Sequence, residues 1–279
     1  MKKEVINLLN TTLIIPVKIE HPDRMRNART TLGFLNQHFE TNVFIYEVSD
    51  DGLSKLDFLE DLGNLKIKHW CIKEDDAFHR TKYLNIMLDE VETPVVANYD
   101  IDVILRPDVY SYCQERIINS STEVIYPYER SQYGQFQVNQ NFNYEGFANS
   151  KFSMDFLNKE EAGLTAYDAE CGHCIFFRTE TYRRFGGENE NFISYGPEDK
   201  ERMIRFQKIT DNKVEWIRNI KVYHFEHYRS KDSSSSNPYF QKNWEIFNLV
   251  SSADRESLLR YYENQEYRNN YKNLKAAHS

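Results

Sequence analysis

Val95-Val96-Ala97-Asn98-Tyr99-Asp100-Ile101-Asp102 reads as an apolar strand that runs straight into two carboxylates. The chain upstream alternates strand with helix. Thr12 to Val17 is a β-rich run, and Arg24 to Phe39 carries helix-like apolar spacing at Met25, Ala28, Leu32 and Leu35. Val43 to Val48 and Leu65 to Trp70 read as strands, and Thr81 to Glu90 as a helix. Such alternation predicts parallel β-α-β units with right-handed crossovers. In open sheets of that kind ligands gather beyond the carboxyl ends of the strands, which is where Asp100 and Asp102 fall.

Downstream the pattern loosens. Pro107 to Ile118 reads as helix and Glu123 to Tyr128 as strand, whereas Tyr133 to Ala148 has no clear period and is expected to be irregular. Cys174 to Arg178 returns to strand and Thr179 to Phe185 to helix. Pro197 to Gln207 is a helix with proline in its first turn, and Val214 to Ile217 and Ile220 to Phe225 close the sheet-like pattern. The serines at 233–236 mark a flexible loop. Tyr228 to Gln241 reads as a lid around them, with Lys231 as its protease-sensitive point. Tyrosine-rich helical sequence follows from Phe240. The expectation is a domain over 1–240 and a helical C-terminal extension over 241–279.

Composition narrows the function. Of 279 residues, 40% are hydrophobic and 28% charged, which excludes a disordered chain, a collagen and a disulfide miniprotein. Lys and Arg number 35 against 43 Asp and Glu, a net charge of −8 that lacks the basic footprint of a nucleic-acid binder. No apolar run approaches transmembrane length, and Glu4, Asn7 and Asn10 interrupt any signal-like segment after Met1-Lys2-Lys3. Four cysteines are too few for a disulfide scaffold. These features predict a soluble, cytoplasmic protein. The 19 Tyr and 18 Phe include rings of the kind that stack on sugars, although compositional bias accounts for them more simply.

Three clusters carry chemistry. Two carboxylates one residue apart at a strand end, Asp100 and Asp102, can hold a hard divalent cation; a solvated acidic turn is the plain alternative. Gly196-Pro197-Glu198-Asp199 opens a helix, where the macrodipole favours carboxylates. At 100° per residue Asp199 shares a face with Met203 and Phe206, while Glu198 lies with Arg202 and Arg205. His224-Phe225-Glu226-His227 offers two imidazoles to a metal. Cys171-Gly172-His173-Cys174 has no second cysteine pair near it in sequence, so a closed zinc site lacks ligands.

These clusters, in this order, resemble the β-1,4-galactosyltransferase family of inverting, metal-dependent glycosyltransferases. Ile14-Ile15-Pro16-Val17-Lys18 resembles that family's opening I-I-P-F-R, and Phe78-His79-Arg80-Thr81 through Asn85 its F-N-R-A-x-L-L-N. Asp100-Ile101-Asp102 is similar to its D-V-D, Phe192 to Asp199 to Y-W-G-W-G-G-E-D, and His224-x-x-His227 with Arg229 to M-x-x-H-x-R. The resemblance implies a GT-A fold: an α/β, Rossmann-like mixed sheet flanked by helices. It implies Asp199 as catalytic base, with Asp102, His224 and His227 as ligands of Mn²⁺ or Mg²⁺. Lys18, Arg80, Asp100, Gly172, Glu198 and Arg229, beside Asp102, would meet the nucleotide sugar, and Tyr195 the acceptor. It implies transfer of a hexose or N-acetylhexosamine from a UDP-sugar to a carbohydrate hydroxyl with a β-linked product. The departures at Lys18, Tyr195 and Pro197 leave donor and acceptor identity open. An inactive sugar- or nucleotide-binding homologue, or a sugar nucleotidyltransferase, is the alternative; the latter would want a Gly-rich basic phosphate loop near the first strand, and none is present.

Overall fold

A computed structural model of the chain describes residues 5–131, 134–159, 163–167, 171–230 and 233–267. In chain order the first elements are β1 (Ile6–Lys18), α1 (Pro22–His38), β2 (Phe39–Ser49), β3 (Leu65–Lys73), α2 (Arg80–Asp89) and β4 (Val95–Tyr99). The middle comprises β5 (Val103–Leu105), α3 (Pro107–Asn119), β6 (Val124–Tyr126), β7 (Gln135–Val138), α4 (Tyr144–Asn149), α5 (Met154–Lys159) and β8 (Leu164–Ala166). Last come β9 (Cys174–Arg178), α6 (Thr179–Arg184), α7 (Glu198–Ile209), β10 (Val214–Trp216), β11 (Val222–Phe225), α8 (Phe240–Ser252) and α9 (Arg255–Glu263). No helix of the described residues is long and apolar enough to cross a membrane.

The large sheet has the order β10-β6-β9-β4-β1-β2-β3. β1 runs parallel to both β2 and β4, and β2 to β3, as the β-α-β reading predicts. β9 runs antiparallel to β4 and β6, which makes the sheet mixed. Both faces are covered, so β1 reads as a continuous buried run. Leu13, Ile15 and Val17 enter the core under α1 and α3 on one face. Ile14 enters the core shared with α2, α6, α7 and the C-terminal helices on the other.

Two findings depart from the sequence reading. The segment from Tyr133 to Ala148 is not simply irregular, because β7 and α4 lie within it. β11 does not close the large sheet; with β5, β7 and β8 it forms a second sheet, of order β5-β11-β7-β8. β5 pairs antiparallel with β11, setting His224 opposite Val103, and Phe225 N–H donates to the Asp102 carbonyl at 2.8 Å. The small sheet therefore carries residues from two distant stretches to one point. The loop after it is tied locally: Asn237 is buried, and its Nδ2 donates to the carbonyls of Ser234 and Tyr195. Lys231, the protease-sensitive point expected from the sequence, lies outside the described residues.

The C-terminal helices pack on α7. Asn243 of α8 is fully buried and donates to the Ile193 and Tyr195 carbonyls, while Tyr262 of α9 bonds Glu201.

Candidate active site

A cleft of about 700 Å³ opens at the carboxyl ends of β1 and β4. All eleven residues singled out from the sequence line it: Lys18, Arg80, Asp100, Asp102, Gly172, Tyr195, Glu198, Asp199, His224, His227 and Arg229. β4 delivers Asp100, and the turn into β5 delivers Asp102. The antiparallel pairing of Tyr99 with Cys174 places Gly172-His173 beside them, with Asp100 N–H donating to the His173 carbonyl at 2.9 Å. The N-termini of α2 and α7 bring Arg80, Glu198 and Asp199.

On one wall Asp102, His224 and His227 offer ligand atoms that all lie within 4.8 Å of one another. His227 Nε2 stands 3.2 Å from Asp102 Oδ2, and His224 Nε2 3.6 Å from Oδ1. His227 Nδ1 lies 2.8 Å from the Tyr228 carbonyl, which can only accept, so Nδ1 carries the hydrogen. In the neutral ring Nε2 then turns its lone pair toward a carboxylate oxygen. Two acceptors facing at that distance fit a cation between them. Burial, and then His173 and His227, hold the His224 imidazolium well below its usual range, which keeps a lone pair available for coordination. One carboxylate with two imidazoles suits a first-row divalent ion such as Mn²⁺ better than Mg²⁺, which prefers oxygen.

The backbone carrying the histidines is clamped by α1. Asn27 Nδ2 donates to the Phe225 carbonyl at 2.9 Å, Arg26 donates to the Glu226 carbonyl at 2.9 Å, and the Tyr228 amide donates to Asp23. Arg24, on the same helix, stands 3.9 Å from Asp102 Oδ2. The sequence reading missed this clamp, whose polar residues sit on an otherwise ordinary amphipathic helix.

The opposite wall is a network of ion pairs. Arg80 donates to Asp100 Oδ1 at 2.6 Å and to Asn98 at 3.0 Å, and lies 3.7 Å from Asp199 Oδ1. Arg202, fully buried, pairs with Asp199 Oδ1 and with Glu188 Oε2 at 2.8 Å. Burial opposes the Arg80 charge, but Asp100 and Asp199 more than offset it and raise its pKa. A Cβ on Gly172 would stand 3.1 Å from Asp199 Oδ2, so the glycine leaves that oxygen room at the cleft. Glu198 differs from its neighbour. Its Oε2 is buried without a hydrogen-bond partner, and burial together with Asp199 pushes its carboxyl up to about 8, against the pull of Arg80. At neutral pH it is an O–H donor rather than an anion.

The helix projection holds in part. Glu198 was expected beside Arg202 and Arg205; Arg202 does act electrostatically on it, but the ion pairs run from Arg202 to Asp199 and from Arg205 to Glu201 at 2.9 Å. Both guanidiniums are buried and reach back to carboxylates three and four positions earlier, spacings that bring helix side chains together. Glu188 and its pairing with Arg202 left no sequence signal. Elsewhere Lys18 pairs with Asp50 at 2.7 Å, Tyr195 is exposed at the rim with Phe240 parallel to it, and Arg229 lies at the mouth.

No family model matches the sequence, and no curated protein does. Solved structures do. The chain is similar to TarS of S. aureus, solved with UDP-GlcNAc, at a TM-score of 0.56 and 12% identity over 91% of this chain and 71% of that one. It is similar to GalNAc-T7, solved with UDP, GalNAc and Mn²⁺, at a TM-score of 0.54 and 13% identity over 86% of this chain and 47% of that one. A Drosophila β1,4-galactosyltransferase 7, solved with xylobiose, matches at 0.48 and 15% identity over 85% and 79%. The first two place the chain in the GT-A glycosyltransferase fold, as expected from the sequence; identities this low show the fold alone.

Proposed function

We propose that this chain is an inverting glycosyltransferase of β-1,4-galactosyltransferase type, moving a hexose or N-acetylhexosamine from a UDP-sugar to a carbohydrate hydroxyl. The observation that carries the reading is the meeting of Asp102, His224 and His227 with Asp199 in one cleft of the GT-A fold. Similar structures solved with UDP-GlcNAc, and with UDP, GalNAc and Mn²⁺, support the donor class and the cofactor.

Asp102, His224 and His227 would hold Mn²⁺, or Mg²⁺ less well. The bound ion supplies positive charge to the diphosphate leaving group. Lys18 and Arg229, at two edges of the cleft, add charge-assisted contacts to the nucleotide. Arg80 was expected on the diphosphate; its pairing with Asp100 and its approach to Asp199 suit it equally to orienting both carboxylates. Glu198 as a neutral donor offers a hydrogen bond to a donor-sugar hydroxyl without repelling the diphosphate. Tyr195 gives the acceptor a ring face. In the transfer, the acceptor oxygen bonds to the anomeric carbon while the bond from that carbon to UDP breaks. The bond's electron pair leaves with the phosphate oxygen, and the acceptor proton passes to Asp199 Oδ2. A carboxylate is a weak base for a free alcohol, but the hydroxyl acidifies as its oxygen bonds to the oxocarbenium-like carbon.

We take 1–240 as the catalytic domain and 241–279 as its extension, whose described part carries α8 and α9 while 268–279 lie outside the described residues. Buried cysteines outside any disulfide, Cys113 and Cys174 among them, support a cytoplasmic location. The test is calorimetry of UDP with and without Mn²⁺, followed by a screen of UDP-sugars for UDP release. Metal-dependent UDP binding and release from at least one UDP-sugar are expected. UDP affinity indifferent to Mn²⁺ would overturn the reading.

A further inference from the structure

α8 carries a row of rings that the chemistry above leaves unused. Phe240, Trp244 and Phe247 fall within an arc of about 60° at 100° per residue. Their centroids follow one another at 6.3 and 5.3 Å. The row does not begin on the helix. Tyr195, exposed on the cleft rim, lies parallel to Phe240 with centroids 6.1 Å apart and planes within 3°. Four rings therefore lead in an unbroken sequence from the acceptor side of the cleft out along the surface. The three helical rings are half-buried on a flank, while Asn243 and Val250 anchor the inner face of α8.

We infer that this row is an extended acceptor track, on which the sugars of a neutral oligosaccharide beyond the one being modified stack in succession. The inference rests on the reading of the cleft as a glycosyltransferase site. Its geometry supports a chain rather than a patch: the rings are sequential and start at a residue that lines the cleft. The stripe's chemistry supports a neutral glycan. Its polar companion in the same arc is Ser251, a hydroxyl, and the Asn248 amide lies about 40° beyond the arc's edge. Lys242, the one cation of α8, lies on the far side of the helix by the same projection. A phosphate-rich polymer or an anionic membrane would call for cations along the row. Apolar faces of pyranose rings stacked on aromatic side chains, with amides and hydroxyls meeting the equatorial hydroxyls, need none. Neighbouring tilts of 75° and 83° between planes would impose a turn on the glycan at each step.

The test is retention of the full chain, with UDP and Mn²⁺ present, on an array of neutral glycans graded from single sugars to hexasaccharides. Retention should rise with glycan length. W244A and F247A should lose about tenfold of the retention of the longer glycans, equivalent to about 1.4 kcal/mol, and none of that of single sugars. W244F should restore most of the loss and W244L should not, which separates stacking from packing. Equal retention by wild type and W244A, or no retention of any glycan, overturns the track. So does sedimentation showing a dimer that W244A dissolves, or binding to phosphatidylcholine vesicles that W244A abolishes. Calorimetry of UDP on the same samples keeps the two readings apart. Absent UDP binding defeats the transferase reading, whereas ring-dependent retention of long glycans stands on its own.

Discussion

The two walls of the cleft settle charge in opposite ways. On the wall made by α2 and α7, each named carboxylate except Glu198 meets a guanidinium: Asp100 meets Arg80, and Asp199 and Glu188 share Arg202. On the wall made by the small sheet, Asp102 faces two imidazoles and stands at the edge of reach of Arg24. His224 Nδ1 is buried there without a hydrogen-bond partner. The first wall neutralises most of its carboxylates internally, while Glu198 Oε2 and Arg80 Nη1 stay without a hydrogen-bond partner. The second has the donor set of a cation site. The proposed base is held by internal pairs, and the proposed metal ligands turn their ring and carboxylate atoms to one point.

The largest effect should come from breaking the first wall at its buried root. Glu188→Gln leaves the fully buried Arg202 with the part-exposed Asp199 as its one remaining named carboxylate partner, a change that costs up to about 3–5 kcal/mol. Chemical denaturation should show it as a lowered midpoint, and an unchanged midpoint would make the pair dispensable. Asp199→Asn tests the same wall at its tip. UDP and Mn²⁺ binding should stay near wild type while kcat falls by about 10²-fold or more. Transfer within a few-fold of wild type would remove Asp199 from the role of base.

The second wall should answer to metal instead. Asp102→Ala and His227→Ala should each weaken Mn²⁺-dependent UDP binding by about tenfold or more, with His224→Ala milder. Calorimetry showing unchanged affinity in the first two would sink the assignment. Glu198 gives the smallest and most graded effect. Its carboxyl is raised to about 8, above its ordinary value near 4.5, so the folded state binds a proton there that the unfolded state has released. Stability from this group is full below the unfolded value and is lost as pH rises through about 8. Glu198→Gln should flatten that decline in thermal melts between pH 6 and roughly 9; parallel profiles for variant and wild type would contradict it.

Much of the first sheet was legible because its strands are long, apolar and spaced by helices. β4 and β9 fall at the limits read from Val95 to Tyr99 and Cys174 to Arg178. In the small sheet only β11 was read, within Ile220 to Phe225, and the rest was missed for reasons of length and composition. β5 has three residues, and β7 is Gln135-Phe136-Gln137-Val138, too short and too polar to show a period. The candidate residues could be listed from motif order, but their partners could not. Arg202 and Arg205 are fully buried, whereas charged residues in a helix ordinarily read as its solvent face. His173 adopts a positive φ of 74° beside the cleft, a backbone state that glycine signals in sequence and histidine does not.

The pairing of β5 with β11 has a consequence for what the site could become. The bond from Phe225 N–H to the Asp102 carbonyl, and the register of His224 opposite Val103, belong to the main chain and are indifferent to side-chain identity. The distance between the backbones that carry Asp102 and His224 is thus set separately from the side chains they bear. A lineage could exchange imidazole for carboxylate or thioether at position 224 and drift toward harder or softer ions while the spacing between the two strands stayed as it is. If the site holds a metal as proposed, its preference would be tunable one residue at a time against a spacing fixed by peptide hydrogen bonds.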